Sequence, residues 1–104
     1  KASKDVVLFV GSGVTSAVTK LISLLPSSSN KPVLILGPLQ HHSNLIPWRE
    51  NNFLVIPAPV LPNSTAVDLP ALRSLCETFS QSTSQEKYCS WNACSNVTGE
   101  VTDL

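Results

Sequence analysis

Three short stretches of this sequence hold the residue types from which a binding or catalytic site is made. The first is Gly11-Ser12-Gly13-Val14-Thr15-Ser16. Where such a turn opens a helix, free backbone N–H groups and the positive end of the helix dipole favour an anion such as a phosphate. It lacks the Lys-Ser/Thr of a P-loop and the third glycine of a dinucleotide turn, so neither nucleotide reading applies; plain punctuation before a helix is the simpler alternative. The second is Gln40-His41-His42-Ser43-Asn44, with Pro47-Trp48 shortly after. Neighbouring side chains diverge, so one imidazole faces a ligand side and the other points elsewhere. A neutral imidazole stacks on a flat ring and relays a proton. The bland alternative is a hydrogen-bonded pair in a loop, and a metal site lacks any cysteine or carboxylate at ligand spacing. The third, Ser95-Asn96-Val97-Thr98-Gly99, offers an amide that donates to a ligand oxygen, or else a simple turn.

These stretches sit where strands are expected to end. Asp5 to Val10 is a β-branched apolar run stopped by the glycine turn, and reads as a strand. Val14, Ala17, Val18, Leu21, Ile22 and Leu25 then recur at helical spacing until Pro26 and the serine cluster Ser27-Ser28-Ser29. Pro32 to Leu36 is apolar without alternation, as burial on both faces of a parallel sheet requires. Ser43 is expected to cap a short helix through Trp48, and Phe53 to Ile56 forms a further strand. The three prolines in Pro57 to Pro62 mark a loop or a sheet edge rather than a central strand. Asp68 caps a helix carrying Leu69, Leu72, Leu75, Cys76 and Phe79 on one face. After a polar linker from Ser80 to Gln85, Lys87 to Ala93 is the last expected strand. The alternation predicts an α/β fold with a mostly parallel sheet and flanking helices, in which ligands bind outside the carboxyl ends of the strands.

Composition narrows the partners. Charged residues are 13% and hydrophobic ones 42%, which describes a piece whose apolar faces are meant for neighbours. Seven basic residues balance seven acidic ones, so the attraction that nucleic acid or an anionic membrane needs is missing. No apolar run reaches the roughly 20 residues of a membrane span. Cys76, Cys89 and Cys94, an odd count without paired spacing, read as structural thiols in a reducing compartment. Asn63-Ser64-Thr65 and Asn96-Val97-Thr98 match the glycosylation pattern, but no signal peptide is recognisable. The expected location is therefore the cytoplasm or an organellar matrix, not secretion.

Taken together, the three stretches resemble, in residue type and order, the class V aminotransferases, cysteine desulfurases and selenocysteine lyases. These are pyridoxal-phosphate enzymes of fold-type I. The resemblance spans essentially the whole chain and implies that residues 1–104 are an internal piece of the family's cofactor-binding large domain. It implies that Gly13-Val14-Thr15 holds the cofactor phosphate, and that His41 stacks on the pyridine ring as the catalytic histidine. Asn96, in the family's Asn-x-x-Gly, would bond the ring oxygen. Val67-Asp68-Leu69 resembles the family's linker, whereas Gln40 stands where glutamate is usual. The family's lysine that binds the cofactor covalently follows a histidine, and none of Lys1, Lys4, Lys20, Lys31 or Lys87 does. The resemblance therefore implies a piece inactive alone, within a homodimeric parent acting on an amino acid, with no metal. The competing expectation is a non-catalytic remnant or partner-binding piece that takes no cofactor.

Overall fold

The computed structural model describes residues 5–26, 30–81 and 84–102. The serine cluster at 27–29 and residues 82–83 of the polar linker lie outside the described residues. The apolar run after Pro32 is strand β1 (Val33–Leu36), the centre of a three-stranded sheet. It pairs in parallel with β2 (Leu54–Pro57) on one side and with β3 (Lys87–Ser90) on the other. All four β1 residues are buried, which is why the run shows no alternation. Leu34 and Leu36 point to one face, where Ile22, Trp48 and Phe53 complete a core. Val33 and Ile35 point to the other, joined by Ala58 and the half-buried Leu72, Leu75 and Phe79.

The helices divide between those faces. α1 (Gly13–Leu24) and α2 (His42–Glu50) pack together on the Leu34 side, contributing Ile22 and Trp48. α3 (Leu69–Ser80) covers the Val33 side. Trp48 meets Phe53 edge-on at 4.9 Å between ring centroids, and Phe53 meets Tyr88 at 5.8 Å, joining α2 to both outer strands. As expected from Asp68, its carboxylate accepts a hydrogen bond from the Ala71 N–H at 3.0 Å and caps α3. β1 leads through α2 to β2 on one side, and β2 leads through α3 to β3 on the other. The chain therefore leaves β1 toward one edge and returns past it to the other, and the crevice beyond the carboxyl ends of β1 and β3 is the switch point of the sheet.

Four expectations need correction. Residues 5–10 form no strand and are largely exposed, Phe9 at 98%. β-branched residues favour extension, but a ladder needs a neighbour to take its N–H and C=O groups, and no described strand pairs here. The cap of α2 is His41 rather than Ser43: its ring Nδ1 accepts from the Ser43 N–H, so the helix starts earlier, at His42, and runs on beyond Trp48 to Glu50. β3 stops at Ser90 instead of Ala93: the Gly37 N–H to Ser90 O bond is the last one between β1 and this segment, and from Trp91 the chain is irregular. Cys76, Cys89 and Cys94 are all exposed. Cys76 lies at the margin of the α3 stripe formed by Leu72, Leu75 and Phe79, which itself is only half-covered.

Candidate functional site

A cleft of about 580 Å³ opens beyond the carboxyl ends of β1 and β3, where three separate parts of the chain meet. Val14 and Thr15 come from the first turn of α1, His41 and Asn44 from the start of α2, and Trp91, Cys94 and Asn96 from the segment after β3. The cleft thus brings together Thr15, His41 and Asn96, each from a different expected stretch. Gly13 opens α1 with φ 68 and is not among the lining residues.

Each wall is shaped by local chemistry. At α1, Ser12 adopts a left-handed backbone and makes no side-chain cap bond, so the first-turn N–H groups of the helix lack an internal acceptor. Those donors, with the helix dipole, are an anion's complement. At α2, a backbone N–H can only donate, so His41 Nδ1 accepts from the Ser43 N–H at 3.1 Å. The neutral ring therefore carries its proton on Nε2, and its orientation is held further by Ser43 Oγ at 2.7 Å. The two histidines diverge as their adjacency demands. Their centroids are 6.4 Å apart, and His42 lines a neighbouring groove with Thr19, Ile46 and Glu50 that His41 shares.

After β3, buried Ser95 organises a tight turn. Its Oγ accepts from the N–H groups of Val97 at 3.2 Å and Thr98 at 3.1 Å. The Gly99 N–H returns to Ser95 O at 3.0 Å, with φ 72 at Gly99. This turn presents Asn96 to the cleft. The Cys94 thiol donates to Gly99 O at 3.4 Å, which keeps its proton engaged with the turn. A different hollow, of about 250 Å³ between the end of α1 and Phe53, is lined by Ile22, Ser23, Pro32 and Asn52 among others and contains no titratable side chain.

Sequence reasoning missed Trp91, Asn92 and Cys94 as cleft residues. The signal was the true end of the last strand: with β3 ending at Ser90, the rim begins at Trp91. Also missed was a polar network that runs from the cleft wall into the sheet. Asn44 bonds Gln40, Trp48 and Ser90, and Asn92 Nδ2 donates to Leu39 O at 2.6 Å. Among the described residues, no helix is long and apolar enough to cross a membrane, and no group of three metal-ligating side chains occurs. In comparisons with known proteins, the chain matches no family model, no curated protein and no solved structure.

Proposed function

We propose that this chain is the cofactor-binding portion of a pyridoxal-phosphate enzyme similar to class V aminotransferases and cysteine desulfurases. One observation carries the reading. Thr15, His41 and Asn96 are widely separated in sequence, yet all line one cleft at the switch point of a parallel sheet.

The residues present fit that group. The uncapped start of α1, with Thr15, suits a phosphate; the fixed imidazole of His41 suits a flat ring; the Asn96 carboxamide suits a ring oxygen. When bound, pyridoxal phosphate supplies an electron sink for reactions of an amino-acid substrate. This chain's own part is to anchor, orient and move protons: His41 Nε2–H is the donor it offers beside the ring, and the Trp91 indole adds an apolar surface to the cleft wall. No lysine lines the cleft among the described residues, and on this reading the covalent attachment point is supplied from outside it.

The test is equilibrium titration of this chain with pyridoxine 5′-phosphate, which has the ring and phosphate but no aldehyde to react with lysines. Tryptophan fluorescence reports occupancy, since of the two indoles Trp91 lines the cleft and Trp48 is buried in the core. Saturable quenching that Thr15→Ala and His41→Ala each weaken at least tenfold is the expected result; no quenching, or quenching indifferent to both changes, contradicts it. A second reading, a partner-binding piece without cofactor, draws on the exposed apolar residues Val6, Val7, Leu8 and Phe9. It gives no quenching.

A further inference from the structure

We infer that Asn44 and Ser90 form a latch that sets the spacing between the His41 wall and the Trp91–Asn96 wall, and thereby decides whether the cleft accepts a flat ring. The inference rests on the cofactor reading for its ligand, but its geometry stands by itself. Asn44 lies in the first turn of α2, three residues after the His41 cap, and Ser90 is the last residue of β3.

The carboxamide of Asn44 uses its full hydrogen-bonding capacity. Its Nδ2 donates to Gln40 Oε1 at 2.7 Å and to Ser90 Oγ at 2.8 Å. Its Oδ1 accepts from Trp48 Nε1 at 3.1 Å and from the Ser90 hydroxyl at 3.3 Å. An indole N–H can only donate, so Oδ1 must face Trp48, which settles the orientation of the amide. With Asn44 Nδ2 donating, Gln40 must present its oxygen. The consequence is visible: Gln40 Nε2 is buried with no partner, a cost borne beside His41. Trp48 is 3% exposed and belongs to the core, so the latch is tied to a rigid anchor. Asn92 Nδ2 to Leu39 O is a second tie between the same two walls. None of these bonds reaches α1, the wall assigned to phosphate.

That separation distinguishes positioning from mere stability. Ser90→Ala removes the β3 partner of Asn44 without altering a cleft-lining residue, and Ser90→Thr keeps the hydroxyl. In Ser90→Ala, pyridoxine 5′-phosphate should bind roughly three- to tenfold more weakly, as loss of one such bond predicts, whereas inorganic phosphate should bind as before. Ser90→Thr should restore wild-type binding. In the ligand-free chain, amide NMR shifts should move at residues 40–43 and 91–96 and stay fixed at 14–19. Equal weakening for both ligands, unchanged ring binding, or no rescue by Ser90→Thr overturns the latch. If the wild-type chain binds neither ligand, the cofactor reading fails alone, and the ligand-free shifts decide: movement confined to residues 40–43 and 91–96 sustains the latch, any other pattern refutes it.

Discussion

Gly37→Ala tests the construction of the cleft from behind. A Cβ placed on Gly37 would lie 2.3 Å from Trp91 Cε3 and 3.0 Å from both Cδ2 and Cζ3. Ordinary carbon–carbon contact is about 3.5–4.0 Å, so the indole must retreat by more than about 1 Å. The neighbour is the body of a half-buried aromatic ring that contacts the Val33–Ile35 core, and no flexible tip is available to yield. Overpacking of this kind costs about 1–3 kcal/mol. For a domain near this size each 1 kcal/mol lowers Tm by roughly 4–8 °C, so thermal unfolding should begin at least several degrees earlier. Because Trp91 lines the cleft, its emission should shift and pyridoxine 5′-phosphate binding should weaken, although no cleft-lining residue has been replaced. Circular dichroism melts and tryptophan emission spectra measure both effects. An alanine variant with wild-type Tm and unaltered Trp91 emission would refute the packing of Trp91 over Gly37.

Other outcomes follow from single contacts. Asp68→Ala should cost about 0.5–2 kcal/mol through loss of the α3 cap, read as an earlier thermal transition. Leu34→Ala, at a side chain with 0% exposure, should cost about 2–5 kcal/mol, which approaches the whole stability of a small domain and should leave a partly unfolded chain by circular dichroism. Although the residue is exposed overall, partial desolvation of its thiol, reinforced by the nearby Cys76, raises Cys89 above its ordinary pKa. Cys89 should therefore alkylate slowly at pH 8 and gain rate well into alkaline solution, as peptide mass spectrometry would show. Burial first, then Glu86 by charge and by hydrogen bond, also raises Tyr88. The folded state keeps that phenol protonated where the unfolded chain has begun to lose its proton, so Tyr88's contribution to stability should decline as pH climbs above about 10. Tyr88→Phe should flatten that alkaline decline in pH-dependent melts.

The order of helices and the central strand were legible because their signals are local. Continuous burial of Val33–Leu36 and the Asp68 cap follow from patterns a few residues long. Residues 5–10 carry the same kind of local signal, but pairing is not local: a strand requires a partner at a distance the pattern does not encode. The cap of α2 misled for a related reason, since the imidazole of His41 does what the hydroxyl of Ser43 was expected to do. Of the cleft, Thr15, His41 and Asn96 were legible from their three stretches, although the strand expected to lead into Thr15 does not form. Trp91 was not, because its role depends on lying over Gly37. The Asn44–Ser90 contact spans 46 positions, and neither residue type announces it.

Chemical-shift mapping of this chain with pyridoxine 5′-phosphate bears most directly on the idea that one phosphorylated ring is embraced from three sides. Saturable shifts with a single dissociation constant at Thr15, His41 and Asn96, and with little change around the hollow beside Phe53, are the predicted pattern. Shifts absent from one of those three positions at saturation, or centred elsewhere on the molecule, would contradict it.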